Sequence, residues 1–237
     1  MAAPLVVGFD LDLTLVDSRP GIAATYRALS ARTGVFIDAD AAATRLGPPL
    51  EVELALWFPV VEIEAVGNMY RQLYPEFAVD ASPPLPGAGE AIRAVHDLGG
   101  RVVVITGKYE SNAWLHLDHL GLTADAVVGW AWADGKVAAM VAHSAGVYVG
   151  DHPADMSATR AASAILDESR ARGTEDHPRT VGGAVAAVGV TTGGHDAAEL
   201  LAAGADVVLV DLTEFPRWLD SHLTTAPISV GLGRIDR

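Results

Sequence analysis

The sequence predicts an α/β protein, with a doubly wound parallel sheet interrupted by an all-helical insert. Three observations predict it. Short β-branched runs recur at 5–9, 101–105, 125–129, 147–150, 185–190 and 206–210. They are too continuous for half-exposed strands and read as strands buried on both faces, as in a parallel sheet. Helical patterns alternate with the later runs, which implies right-handed βαβ units. Residues 19–84 contain no such run.

The elements follow in order. LVVGF at 5–9 is the first strand. Four helical stretches come next: PGIAATYRALSARTG, ADAAATRL, PLEVELALWF and VVEIEAVGNMYRQLYPEFA. SPPLPG at 82–87 is a proline-rich return linker. Helices are expected near 87–98, 109–120, 136–144, 153–168 and 195–203, each beside one of the later strands. DLGGRVVVI and AAGADVVLV share one cadence, in which a helix ends at glycine and a strand begins. LDESRARGTEDHPRTVGG at 166–183 is polar without steady periodicity and reads as a loop; its length means it is functional, disordered or partly misread. The expected division is residues 1–18 and 85–237 as the sheet-bearing core and 19–84 as the insert.

Composition excludes several classes. The 237 residues are 50% hydrophobic, which rules out disorder over the whole chain. Thirty acidic against 16 basic residues give a formal charge of −14, which argues against nucleic acid or an anionic membrane as partner. There is no cysteine, so a thiolate nucleophile, a disulfide and a zinc–thiolate site are all excluded. The most apolar stretch, GGAVAAVGV at 182–190, is far short of the roughly 20 residues that span a bilayer. MAAPLVVGFD lacks the basic start of a secretory signal, so a cytoplasmic location is expected. Of the 16 basic residues only Lys108 and Lys136 are lysines, which marks both for attention.

The chemistry gathers at strand ends. FDLDLTLVDS places Asp10 and Asp12 at the carboxyl end of the first strand, the edge where open α/β sheets bind ligands. Two carboxylates about 4 Å apart repel by roughly 4 kcal/mol at an effective dielectric of 20. A cation or a raised pKa relieves that. Alone, the pair also fits an acidic turn. VVVITGK puts Thr106 at the end of the second strand, with Gly107 leaving a backbone N–H open to a phosphate oxygen; a helix cap is the plainer alternative. VYVGDHPAD adds Asp151 and Asp155, four apart, at a helix that Pro153 can start. Lys136 opens the helix of ADGKVAAM, where the helix dipole disfavours a cation, so service to a ligand would explain it; a solvated surface lysine is the plainer alternative. Together these strand ends supply oxygen ligands suited to magnesium, a phosphoryl-binding hydroxyl and ammonium, a nucleophilic aspartate and a second one to move protons.

With those residues in place, the chain resembles the haloacid dehalogenase superfamily, in its phosphoglycolate-phosphatase-like branch. DLDLT at 10–14, Thr106, Lys136 and GDHPAD at 150–155 stand in the family's order, and the resemblance spans nearly the whole chain. It implies a Rossmann-like core with residues 19–84 as the cap. It further implies that Asp10 is the nucleophile, Asp12 the general acid/base, and Thr106 and Lys136 the phosphoryl-binding pair. Magnesium would be held by Asp10, the Asp12 main chain and Asp151, with Asp155 in support. Three features depart from the branch: Leu13 where glycine is common, a short spacing from Lys136 to Asp151, and no Lys-Pro. Lys108 is therefore an alternative phosphate-binding lysine, with a solvated side chain as its plainer reading.

Cap residues would choose the substrate. RLGPPLE at 45–51 resembles the family's specificity loop, and Arg45 and Arg19 are candidates to meet an anionic leaving group, with a plain surface arginine as the alternative for each. HLDH at 116–119 reads as ordinary helix surface, and Trp130 and Trp132 as packing, with lining of the cleft as the alternative. The expected activity is a magnesium-dependent phosphatase acting on a small-molecule phosphate ester, with monomer and homodimer both open. A phosphotransferase or sugar phosphomutase on the same scaffold, a phospho-accepting signalling domain and a silent binding protein are the alternatives.

Overall fold

A computed structural model describes residues 5–172 and 184–225. Six parallel strands form one sheet: β1 (Val6–Phe9), β2 (Arg101–Ile105), β3 (Ala126–Val128), β4 (Val147–Gly150), β5 (Ala186–Val190) and β6 (Val207–Leu209). Their spatial order is β3-β2-β1-β4-β5-β6. The winding reverses between β1 and β4, so a crevice opens beyond their carboxyl ends. Val7 pairs with Val102 on one side and Val147 on the other, and Phe9 with Val104 and Val149. That register brings the ends of β1, β2 and β4 level.

The strand sequences are apolar throughout because both faces are covered. Val7, Phe9, Val102, Val104 and Val149 pack beneath α5 (Ala88–Asp97), α6 (Glu110–Leu120) and α10 (Phe215–Thr225). Val103, Ile105 and Tyr148 pack on the opposite face, against α7 (Asp134–Ala142) and α8 (Pro153–Arg172). The sixth helix of this layer system, α9 (Ala197–Ala202), starts at an Asp196–Glu199 capping box.

Between β1 and α5 the chain is helical, as its sequence predicts: α1 (Arg19–Thr33), α2 (Ala39–Thr44), α3 (Leu50–Leu54), a 3₁₀ turn at Val60–Glu62, and α4 (Ile63–Phe77). These helices own a core of Ile22, Tyr26, Leu29, Leu54, Tyr70 and Tyr74. The return is fixed by Gly87, whose φ of +83° and position 2.2 Å from the Leu212 carbonyl carbon, measured from a Cβ built there, exclude any side chain.

Three expectations need correction. β3 and most of β6 are only half buried, because each is an edge strand with a neighbour on one side. Residues 166–172, expected to be loop, continue α8, since Leu166 is buried in the core and gives the helix an inner face. The rest of that segment, 173–183, lies outside the described residues. Helix α10 was not anticipated: Phe215 and Leu219 bury one face of it, four residues apart, within a largely polar sequence.

Candidate active site

The crevice at the β1–β4 reversal gathers the predicted strand-end residues. Asp10 follows β1 and is held there by its own backbone, its N–H donating to the Val149 carbonyl at 2.9 Å. Its Oδ1 accepts from the Leu11 N–H at 2.8 Å. Its Oδ2 lies 3.1 Å from Lys136 Nζ. The same ammonium is 2.5 Å from Asp155 Oδ1. Asp151, at the end of β4, accepts from the Thr14 hydroxyl at 3.2 Å. Asp10, Asp151 and Asp155 are all buried, and one carboxylate oxygen from each lies within 4.8 Å of the others.

Glycines make room for this cluster. A Cβ on Gly193 would stand 1.8 Å from Asp151 Oδ2, and one on Gly150 would stand 2.3 Å from Asp155 Oδ2. Leu13 takes φ +60°, the left-handed region that a leucine enters only under strain. The turn is fastened by Thr192, whose hydroxyl donates to the Leu13 carbonyl at 2.5 Å. The residue that departs from the branch's glycine therefore sits where glycine is the easier choice.

The cluster's charge is unbalanced. Three buried carboxylates face one ammonium. Burial pushes the Asp10 carboxyl up to about 7 against the pull of Lys136, with Asp155 and Asp12 adding to the rise. Burial, then Asp10 and Asp155, push Asp151 well above the usual carboxylate range. Lys136 is also buried, yet Asp10 and Asp155 hold its proton firmly and drive its pKa up. A divalent cation among the three carboxylates would offset the surplus charge. The donors are oxygens only, from rigid elements, and so fit magnesium or calcium better than a softer metal.

Thr106 and Gly107 flank the same crevice. Thr106 is 1% exposed, and its hydroxyl accepts from the Lys108 N–H at 3.1 Å. Together with Asp10, Asp12, Lys136 and His152 they line a cleft of about 370 Å³. Leu46 and Gly47, from the RLGPPLE loop, roof it beside Trp132. Arg45 itself turns aside to Glu53, at 2.6 Å, and does not line the cleft. Arg19 pairs with Asp17 at 2.7 Å near the surface.

Asp12 stands apart from the carboxylate cluster. Its Oδ1 lies 3.0 Å from Lys108 Nζ. Burial alone would raise its carboxyl, but Lys108, helped by Ser18 and His116, outweighs burial and holds it below the usual range. Lys108 Nζ also donates to the Tyr74 hydroxyl at 2.5 Å, and that hydroxyl meets His116 Nε2 at 2.8 Å. Burial, then the nearby Lys108 charge, push His116 down to about 4.

This line of groups is what sequence reasoning missed. Lys108 is not a solvated side chain, and His116 is not helix surface, being fully buried. The signal was the lysine count: both lysines of the chain are buried in this site. Lys136 takes the position beside Asp10, while Lys108 serves Asp12. Trp130, expected to pack, is instead 53% exposed.

A family model described as haloacid dehalogenase-like hydrolase matches residues 7–181. The chain belongs to that family of hydrolases. A phosphoglycolate phosphatase of Xylella fastidiosa is 30% identical over 201 residues, spanning 76% of this chain and 86% of that protein. Among solved structures, a haloacid dehalogenase-like hydrolase from Streptococcus pneumoniae aligns with a TM-score of 0.70 at 21% identity, covering 91% of this chain and 98% of that one. A family hydrolase from Deinococcus radiodurans, solved with bound phosphate and sodium, aligns with a TM-score of 0.60 at 21% identity over 94% and 97% of the two chains. Both structures share the fold. No described helix is long and apolar enough to cross a membrane.

Proposed function

We propose that this hydrolase is a magnesium-dependent phosphatase of small phosphorylated metabolites, working through an aspartyl-phosphate on Asp10. The observation that carries the reading is the buried trio of Asp10, Asp151 and Asp155 around Lys136, at the sheet edge beside Thr106. The phosphoglycolate phosphatase relative supports a phosphate ester as the substrate class.

Asp10, the Asp12 main chain and Asp151 would hold magnesium, with Asp155 supporting them. When bound, the ion supplies positive charge that keeps Asp10 ionised beside an anionic substrate. The chain's own groups do the rest. Lys136 and the Thr106 hydroxyl, with the Gly107 N–H, hold phosphoryl oxygens as charge builds on them. The Asp10 carboxylate attacks phosphorus, the ester P–O bond breaks, and Asp12 gives a proton to the departing alkoxide. Asp12 then takes a proton from the water that attacks phosphorus, the Asp10–phosphoryl bond breaks, and phosphate leaves.

Lys108 keeps Asp12 ionised in the resting site. An arriving phosphoryl dianion opposes that, because a second negative charge raises Asp12's affinity for a proton, and Asp12 takes that proton from solvent before it protonates the departing oxygen. Residues 19–84 act as a cap: Leu46 and Gly47 already roof the cleft, and closure excludes bulk water from the first step.

The test is phosphate release from p-nitrophenyl phosphate. Activity with magnesium that vanishes in EDTA and in Asp10→Asn supports the reading. Full activity in Asp10→Asn refutes it.

A further inference from the structure

A second cavity, of about 580 Å³, adjoins the cleft and shares Asp12 and Leu46 with it. A leaving group attached to a phosphoryl at Asp10 would extend into it, past Asp12. Its walls come from α1 (Ile22, Tyr26), α4 (Tyr70, Arg71, Tyr74) and the core side (Lys108, Tyr109, Asn112, Trp130).

The cations in this cavity are already engaged. Lys108 faces Asp12 at 3.0 Å. Arg71 pairs with Glu51 and lies over the Trp130 ring, 4.6 Å from its centre. With Glu51 included, two positive charges meet two negative ones. A carboxylate entering here finds no unclaimed cation.

The neutral polar groups are the ones left open. Tyr26, Tyr70 and Asn112 are 3%, 6% and 5% exposed and all line the cavity. Among the described residues, none hydrogen-bonds to either tyrosine hydroxyl or to the Asn112 carboxamide. None of these polar atoms is sealed away without a partner, so they open on the cavity, where water or a ligand can meet them. The Tyr26 and Tyr70 rings pack on each other beside them, 4.8 Å apart.

We propose that this cavity takes a neutral, hydroxylated ring as the leaving group, so that the substrates are sugar phosphates and not phosphorylated hydroxy acids. Tyr26, Tyr70 and Asn112 hydrogen-bond its hydroxyls. The proposal rests on the phosphatase reading and adds the substrate class to it.

The experiment measures kcat/KM with magnesium for glucose 6-phosphate, ribose 5-phosphate, phosphoglycolate and p-nitrophenyl phosphate. At least one sugar phosphate should exceed phosphoglycolate by about tenfold or more, the worth of one or two good hydrogen bonds. Tyr26→Phe and Tyr70→Phe each keep the ring and remove only the hydroxyl. Each should lower kcat/KM for the sugar phosphate by about three- to tenfold, and lower it more than for p-nitrophenyl phosphate. Thermal unfolding confirms that both variants fold. Turnover of p-nitrophenyl phosphate with phosphoglycolate preferred over both sugars overturns the proposal while leaving the phosphatase standing. Equal losses on sugar phosphate and p-nitrophenyl phosphate overturn it too, since they mark a structural role only. No turnover of any ester overturns both readings.

Discussion

Replacing Lys136 with Met tests the electrostatics of the site without filling or emptying much space. Lys136 is 2% exposed and holds Asp10 at 3.1 Å and Asp155 at 2.5 Å. The substitution leaves two buried carboxylates without their cation. Breaking a buried pair from one side costs about 3–5 kcal/mol. At about 2–4 °C per kcal/mol for a chain of this size, the melting temperature should fall by roughly 6–20 °C in EDTA. The loss should also depend on pH. Asp10 already titrates near 7, raised from its ordinary value by burial and lowered by Lys136. A group with a raised folded pKa binds more protons folded than unfolded, so it destabilises the protein as pH climbs toward that pKa. In the wild type this penalty stops growing near pH 7 and is present in full above it. In the variant Asp10 rises further, and each added unit costs about 1.4 kcal/mol above pH 7. Denaturant unfolding in EDTA at pH 6 and pH 9 reads the difference: the gap between the two proteins should widen at pH 9. A gap below about 1 kcal/mol, or one that does not change with pH, refutes the reasoning.

Two further outcomes follow from single groups. His116 is fully buried and pushed down to about 4 by burial and by Lys108. The unfolded chain therefore takes up this proton first, and about 3 kcal/mol of stability present above pH 6.5 is lost as pH falls to 4; His116→Gln should flatten that limb of the stability–pH curve, and an unchanged limb contradicts the assignment. Gly193→Ala forces a Cβ to within 1.8 Å of Asp151 Oδ2 unless the turn moves, so the magnesium concentration giving half-maximal phosphate release should rise by about tenfold or more, a normal magnesium titration being the contrary result.

The sheet was legible because a doubly covered strand must be apolar at every position. Val6–Phe9, Arg101–Ile105 and Val147–Gly150 stand out as β-branched runs for that reason. Asp10, Asp151 and Thr106 were legible because the fold puts strand ends where ligands bind. What pairs with what across elements was not. Asp12 meets Lys108 because the end of β2 runs beside β1, and Lys108 meets Tyr74 because α4 packs over α6. Neither neighbourhood has a sequence period. His116 reads as surface in HLDH, since only the approach of Tyr74 buries it. Arg45 illustrates the reverse: its loop does roof the cleft, but Glu53 holds the side chain elsewhere. Helix α8 outran its expected end because LDESRAR is polar on all but one side, and Leu166 suffices to bury that side.

The central claim is that Asp10 becomes phosphorylated during turnover. Quenching the enzyme with a reactive phosphate ester and magnesium, then reducing with borohydride and mapping peptides by mass spectrometry, examines that claim at the residue. The predicted result is a reduced aspartyl-phosphate at position 10 in wild type and none in Asp10→Asn. Steady phosphate release with no modification at Asp10, or with the modification on another residue, would contradict it.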